Sequence, residues 1–290
     1  MTEPLISVVI PAFNRSAKIE RALKSVQNQT YANWEAVVVD DASKDNTVDI
    51  VKEMSTKDKR IVCVRHSRNK GSQAARNTGI RCARGQWVAF LDSDDEFLTD
   101  SLSSRMDMLI KEHTNAVHSN AYILHTNKPK IVYYSPPYKG EIYKDILIKD
   151  GPTFPSLLVQ RRALENIGYL DEEILAFQEW DTYIRLGKQC KFSFLPKETF
   201  IYDYTGSDSI SRDDIRGARG YGQILHKHFW NIWLYGGARA LGFHYSAISQ
   251  RYSMGGDKLS SLRYRLNALV WKCFSFSIIL KKLKKMVPAQ

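Results

Sequence analysis

Apolar strands alternate with helices over the first 95 residues, and this alternation limits the possible folds more than any other feature. Four continuous apolar runs are typical of strands buried on both faces: 5–10, 34–39, 61–64 and 87–91. Between them, apolar residues at helical spacing predict helices over 16–28, 45–54 and 71–83. Strands that alternate with helices build a parallel α/β sheet with helices on both faces.

Polar residues follow three of these strands at the point where each strand ends. The segments are Pro11–Asn14, Asp40–Ser43 and Asp92–Asp95. Ligands of open parallel sheets bind at the carboxyl ends of the strands. We therefore expect one binding site built from these three segments.

The third segment, Asp92-Ser93-Asp94-Asp95, places three carboxylates within four residues. Adjacent carboxylates repel one another, so each is harder to ionise unless a cation neutralises the cluster. Mg²⁺ favours one or two carboxylates together with substrate phosphates. A solvated acidic turn that caps a helix is the alternative interpretation.

The second segment has two interpretations. Asp40 and Asp41 at a strand end suit hydrogen bonds from a base or ribose. They also suit a phosphoacceptor site like that of response-regulator receivers. No later strand ends in the Thr/Ser and Lys pair that such a site needs, which argues against the phosphoacceptor.

The net charge of +11 is concentrated in the last eighty residues, which contain 14 Lys and Arg against 3 Asp and Glu. A basic tail on a neutral body favours a polyanionic partner, either anionic lipid or nucleic acid.

The four cysteines form no CxxC pair, so neither a disulfide framework nor a zinc site is expected. We find no signal-peptide pattern and no run of 18 uncharged apolar residues, and we expect a cytoplasmic chain.

Four segments in this order resemble the family 2 glycosyltransferases of the GT-A fold, of the bacterial surface-polysaccharide type. They are residues 7–14, 37–43, 69–95 (which includes Asn69-Lys-Gly71, Arg76-Asn-Thr-Gly79 and Gly85) and 178–186. The resemblance implies an α/β fold with a mostly parallel central sheet flanked by helices. It implies a catalytic domain over 1–210, with a nucleotide-sugar half at 1–100 and an acceptor half at 101–210. A basic helical extension would occupy 211–290.

The same resemblance implies a donor site. Pro11, Ala12, Phe13 and Asn14 would surround the base, and Asp41 would accept a hydrogen bond from it, which favours uridine in the family. Arg76 would contact the base or a phosphate. The DxD motif, Asp92-Ser93-Asp94, would meet the ribose and a Mn²⁺ or Mg²⁺ ion, with Asp94 or Asp95 as the direct ligand.

For the catalytic base the resemblance indicates Glu179, with Asp181 as second choice. The family most often has Asp at the position of Glu179, and both acids also suit the start of a helix. The histidine that many metal-dependent members carry before Ser209-Ile210-Ser211 is absent here. Asp203, Asp208 or water would then complete the metal shell; His226 and His228 are weaker candidates, since they face different sides of a helix.

The implied activity is a metal-dependent, inverting transfer from a UDP-sugar to a glycan or polyprenyl-linked saccharide, for a capsule or a lipopolysaccharide.

Apolar residues at spacings of three and four make 259–286 a basic amphipathic helix, which predicts peripheral binding to the inner face of the plasma membrane. The alternative is packing on the catalytic body.

Three other functions compete with the implied transfer: a non-catalytic scaffold, a nucleic-acid-binding protein and a nucleotidyltransferase. We expect no nucleic acid as a partner. Pro11–Asn14 lacks the glycines of a phosphate loop, which argues against a nucleotidyltransferase.

Overall fold

The computed structural model describes residues 3–126, 128–205 and 213–286, with side chains up to residue 275. The chain forms two compact units. The first unit comprises Met1–Ile142, Gly151–Glu172 and Thr182–Ser207. The second comprises Tyr143–Asp150, Glu173–Asp181 and Asp208–Gln290.

One sheet dominates the first unit, and the described residues supply nine strands to it. These are β1 (Ile6–Ala12), β2 (Trp34–Asp40), β3 (Ile61–Arg65), β4 (Trp87–Phe90), β5 (Glu96–Phe97), β6 (Ala116–Leu124), β7 (Ile131–Tyr133), β8 (Leu158–Gln160) and β9 (Phe192–Asp203). Their order is β3-β2-β1-β4-β8-β6-β9-β5, and β7 pairs with β6. The first four strands are parallel, as predicted. β8 runs antiparallel to both of its neighbours, so the second half of the sheet is mixed.

Helices cover both faces of the sheet in the first unit. They are α1 (Ile19–Gln27), α2 (Thr47–Lys57), α3 (Ser72–Cys82), α4 (Ser101–Glu112), α6 (Arg161–Asn166) and most of α7 (Gln178–Gly187). Because side chains alternate along β1, Val8 joins the core beneath α1 while Val9 faces α3. A Cβ on Gly79 of α3 would lie 2.4 Å from Val9 Cγ1, so only glycine permits this approach.

The structure differs from the predicted elements in its second half. The sequence predicts two strands at 192–195 and 200–204, whereas β9 is continuous and accommodates the polar stretch between them with a register shift against β6. The sequence analysis also missed α4, β5 and β8. β5 and β8 have only two and three residues, too few to show a periodic pattern.

The second unit is helical within its described residues. It contains α5 (Tyr143–Ile146), the start of α7, α8 (Asp214–Lys227), α9 (Phe229–Met254) and α10 (Lys258–Met286). Asp213 caps α8 by accepting a hydrogen bond from Arg216 N at 2.8 Å. Gly237 interrupts α9 with a φ of 63°. No helix in the described part of the chain has the length and apolar character needed to cross a membrane.

Candidate functional site

The loops that follow β1 and β2 are joined to each other by hydrogen bonds. β1 and β2 are adjacent and parallel, so their carboxyl ends lie side by side. Asn14 N donates to Ser43 Oγ at 2.9 Å, and Lys44 N donates to Asn14 Oδ1 at 2.9 Å. Asn14 adopts a φ of 53°, a conformation that asparagine tolerates well. Pro11 and Ala12 are buried, whereas the Phe13 side chain is 40% exposed and available to a flat ligand.

Asp41 is buried behind this loop, and most of its hydrogen-bonding capacity is used by the protein. Its Oδ1 accepts from His66 Nδ1 at 2.7 Å and from Lys70 N at 2.8 Å, and its Oδ2 accepts from Gly71 N at 2.7 Å. A carboxylate offers about four acceptor positions. One position therefore remains, which suffices for a single N–H of a base.

His66 is a residue of this site that the sequence analysis missed. Its Nε2 lies 2.9 Å from Thr78 Oγ1 on α3. Since Asp41 already accepts two main-chain N–H groups, it acts as an acceptor, so His66 Nδ1 donates to it, and Nε2 and the Thr78 hydroxyl share a second hydrogen bond. No motif or spacing in the sequence pairs residue 66 with residue 41, because the contact arises from the parallel pairing of β2 and β3.

Arg76 on α3 reaches the first acid of the carboxylate segment. Its NH2 donates to Asp92 Oδ1, its NH1 donates to Gln73 Oε1 at 2.7 Å, and its guanidinium lies 4.6 Å from the centre of the Phe154 ring. Arg76 is buried, so this pair fixes the orientation of Asp92. The structure thus joins two predicted site residues, one on α3 and the other directly after β4.

Asp94 and Asp95 have different surroundings. Asp94 is partly exposed and lies 3.7 Å from the Arg15 guanidinium. Burial raises its pKa, Asp92 raises it further, and Arg15 offsets part of the change. Asp95 is 1% exposed: Oδ1 accepts from Asp203 N at 2.9 Å, while the buried Oδ2 has no hydrogen-bond partner. Burial raises the pKa of Asp95 well above its usual range, and Asp92 and Asp94 add to the effect.

These carboxylates fit a divalent cation that is shared with a substrate. No three acidic, histidine or cysteine side chains converge on one point within the described residues. An ion would therefore take one or two oxygens from the protein and the others from phosphate and water, as Mg²⁺ commonly does. The unpartnered Oδ2 of Asp95 and the partly exposed carboxylate of Asp94 are the suitable oxygens.

The residues considered as substitutes for the missing histidine are occupied elsewhere or lie outside the described residues. Asp203 binds Arg21 and Lys18. Asp208 and Ser209-Ile210-Ser211 are outside the described residues. In the second unit, His226 is exposed and His228 is bonded to Asp181.

The two acids proposed for the catalytic base lie at the start of α7, in the second unit. Asp181 is fully buried, and its Oδ1 lies 2.8 Å from His228 Nε2 and 2.9 Å from Lys227 Nζ. Trp180, which lies between the two acids in the sequence, is buried and donates a hydrogen bond from Nε1 to Ile146 O at 2.7 Å. Glu179 is only partly buried, so of the two acids it is the more accessible.

An apolar stripe runs along the side of α10 that faces away from α9. Ala268, Tyr264 and Trp271 pack on α9; for example, the Tyr264 and Tyr252 rings are stacked at 5.4 Å. The opposite side of α10 exposes a set of apolar residues: Leu259, Leu262, Leu266, Leu269, Val270 and Cys273. Basic residues flank this set at Lys258, Arg263, Arg265 and Lys272. On α9, Trp230 and Leu234 are also more than 70% exposed.

Comparison with known proteins gives one family and several structural neighbours. The model of glycosyl transferase family 2 matches residues 7–168. The chain is 31% identical, over 72% of its length and 81% of the other, to the Escherichia coli UDP-Glc:alpha-D-GlcNAc-diphosphoundecaprenol beta-1,3-glucosyltransferase WfaP.

Two of the solved structures that resemble this fold are named with ligands. TarS 1–349 of S. aureus in complex with UDP-GlcNAc superposes with a TM-score of 0.65 at 18% identity, covering 92% of this chain and 91% of that one. The mannosyltransferase PcManGT from Pyrobaculum calidifontis, in complex with GDP-Man and Mn²⁺, gives 0.64 at 19% identity, covering 96% and 81%. At these identities the likeness concerns the fold, and the predicted GT-A fold is confirmed.

Proposed function

The chain belongs to glycosyl transferase family 2, and from this membership we propose that it moves a sugar from a UDP-sugar to a lipid-linked saccharide in the synthesis of a bacterial surface polysaccharide. We propose in addition that the reaction depends on Mn²⁺ or Mg²⁺ and inverts the anomeric carbon. The family membership makes the chain a glycosyltransferase; the donor, the metal and the stereochemistry are proposals.

The observation that carries the proposal is the carboxylate segment after β4. Three acids lie together, and the buried Asp95 Oδ2 has no partner. Burial raises the pKa of both acids, and neighbouring carboxylates raise it further; a cation bound by Asp94 and Asp95 would offset both effects. When bound, the metal offsets charge on the leaving diphosphate. Arg76 holds Asp92 in a fixed orientation beside them, where the resemblance places the ribose.

A uridine base is supported by Asp41 and by two names among the similar proteins. The one free acceptor position of Asp41 matches the single N–H that uracil presents, and Phe13 offers a face for stacking. The Escherichia coli relative is named for UDP-Glc, and the TarS structure contains UDP-GlcNAc. PcManGT contains GDP-Man instead, so the nucleotide must be tested directly.

Glu179 is the base that we assign. In an inverting displacement the acceptor oxygen bonds to the anomeric carbon while the bond to the diphosphate breaks, and the base takes the hydroxyl proton. Asp181 is a poor choice, because its buried carboxylate is already bonded to His228 and Lys227. Asp181 instead fixes the positions of His228 and Lys227 within the second unit.

We propose a lipid-linked acceptor and a peripheral position at the inner face of the plasma membrane. The name of the Escherichia coli relative specifies a diphosphoundecaprenol acceptor. The outward stripe of α10 combines exposed leucines with flanking basic residues, which suits an anionic lipid surface. In this scheme residues 1–100 bind the donor, residues 101–210 bind the acceptor and residues 211–290 form the basic extension.

Thermal unfolding of the full chain with a panel of UDP-, GDP-, CDP- and dTDP-sugars, with and without Mn²⁺, tests the donor site. A UDP-sugar at about 100 times its Kd should stabilise the folded state by about 2.7 kcal/mol. We expect this stabilisation to need Mn²⁺ and to disappear in Asp94→Ala/Asp95→Ala.

The matched control is Asp49→Ala/Glu53→Ala, which removes two exposed acids from α2 and should leave the stabilisation intact. Stabilisation by GDP-mannose alone would replace UDP with GDP in the proposal. A folded protein that no nucleotide sugar stabilises would contradict it, and would favour a non-catalytic scaffold.

A further inference from the structure

Arg21 on α1 makes a contact with the carboxylate segment that neither the motif nor the proposed chemistry explains. Its NH2 donates to the main-chain oxygen of Asp94 at 2.8 Å and to Asp203 Oδ2 at 2.6 Å. Its Nε lies 3.1 Å from Glu96 Oε1. One side chain on α1 therefore links the carboxylate segment and the strand that directly follows it to the end of β9.

Asp203 completes a closed set of bonds around Asp95. The main-chain N–H of Asp203 donates to Asp95 Oδ1 at 2.9 Å, while its own carboxylate accepts from Arg21 and lies 3.3 Å from Lys18 Nζ. Thr205 N donates to Asp203 Oδ1 at 2.9 Å, so both carboxylate oxygens of Asp203 have partners. Asp203 is therefore an occupied acceptor and not a spare carboxylate.

The consequence is a fixed orientation for both acids that we assign to the metal. Arg21 holds the main chain at Asp94, and Asp203 holds one oxygen of Asp95. The other oxygen of Asp95 is left without a partner and in a set direction. Groups that orient metal ligands in this way commonly change metal affinity by about 10- to 100-fold when they are removed.

We propose that Arg21 and Asp203 are positioning residues for the metal ion and the donor diphosphate. The pair acts through Asp94 and Asp95 and touches neither the sugar nor the acceptor. This inference rests on the proposed metal-dependent function.

Mn²⁺ binding to the full chain in the presence of UDP tests the pair without requiring turnover. Electron paramagnetic resonance measures the Mn²⁺ that remains free. Arg21→Gln and Asp203→Asn should each weaken Mn²⁺ binding by about tenfold. Because each variant breaks the same Arg21–Asp203 contact, the double variant should lose less than the two single losses combined. Arg21→Lys should recover part of the affinity, since lysine keeps the charge but not the planar fork of donors.

Lys24→Gln is the matched control, because Lys24 lies one turn further along α1 in an exposed pair with Glu20. It should leave Mn²⁺ binding unchanged. Circular dichroism at the assay temperature restricts the comparison to folded protein, and Arg21→Lys serves if Arg21→Gln does not fold.

The outcomes separate this inference from the proposed function. A wild-type chain without a UDP-dependent Mn²⁺ site contradicts the proposed function itself. The positioning role is overturned if folded Arg21→Gln and folded Asp203→Asn bind Mn²⁺ with the same affinity as the wild type. Arg21→Lys takes the place of Arg21→Gln in this comparison if Arg21→Gln does not fold. Variants that lose thermal stability but keep their Mn²⁺ affinity show that the pair is only structural, and also overturn it.

Discussion

Glu179 and Asp181 are two residues apart, and their surroundings give them different tasks. Residues at i and i+2 of a helix point to different sides, so the two carboxylates cannot share one position. Asp181 points into the second unit, where it accepts hydrogen bonds from His228 and Lys227. Glu179 lies on a more accessible side of α7. We therefore expect substitutions at the two positions to affect different properties.

Glu179→Gln should lower kcat by about 10²- to 10⁴-fold while donor binding stays unchanged, because the variant keeps the shape of the side chain and loses the proton acceptor. Asp181→Asn should destabilise the fold by about 2 kcal/mol, because it weakens buried hydrogen bonds to charged groups. Steady-state kinetics and urea unfolding of both variants test this assignment. Unchanged kcat in Glu179→Gln would rule out Glu179 as the base.

At the scale of elements, α10 has two apolar sides where the sequence suggests one. The stripe of leucines that the sequence analysis identifies is the side that faces solvent. The side that contacts α9 uses Tyr264, Ala268 and Trp271 instead. One side of α10 thus packs on α9 within the second unit, and the other side is an exposed basic-apolar surface. Binding of this surface to a membrane stays a prediction.

The exposed stripe predicts binding to anionic vesicles. Leu266→Gln/Leu269→Gln should reduce co-sedimentation of the full chain with phosphatidylglycerol-containing vesicles, because the side chains no longer gain by burial in the lipid interface. Ile110→Gln, at a side chain 59% exposed on α4, is the control and should have no effect. Equal sedimentation of the double variant and the wild type would argue against this surface.

For the whole molecule, two buried histidines couple stability to pH. His118 donates to Tyr138 O in the first unit, and His244 donates to Leu147 O in the second, each at 2.9 Å. Burial lowers the pKa of each to about 4, and the hydrogen bond to the carbonyl offsets only part of that change. In an unfolded chain histidine titrates near ~6.5. Between these pH values the unfolded state binds protons that the folded state does not.

Stability should therefore be fully present above about pH 6.5 and should fall as the pH drops towards 4. From pH 7.5 to pH 5 the loss should be about 2 kcal/mol for each histidine. Urea unfolding at the two pH values measures it, and His226→Gln, at an exposed histidine, should leave the difference unchanged. The raised pKa of Asp94 and of Asp95 acts in the opposite direction, so the decisive comparison is with His118→Gln/His244→Gln, which keeps both acids. The same pH dependence in this variant and in the wild type would show that the two histidines are not held neutral.

The first half of the fold follows from the sequence, and the second half follows only in part: β6, β7 and α7 are predicted from the sequence, whereas α4, β5 and β8 are not. β1 to β4 are continuous apolar runs, buried on both faces, and such runs are readable without knowledge of their neighbours. β5 and β8 are short strands whose pairing is decided by what lies beside them. The extent of β9 is also decided by its neighbour. β9 stays paired with β6 through a register shift, so the two strands predicted from the sequence form one.

The sequence by itself determined the carboxylates, because a motif consists of residue types at fixed spacing. It therefore identified Asp92, Asp94 and Asp95 as one cluster after a strand. Only the tertiary structure decided which groups orient them. The partners Arg76, Arg21 and Asp203 come from two helices and a strand end that meet at the carboxyl edge of the sheet. Such contacts depend on strand order and register, which local sequence does not encode.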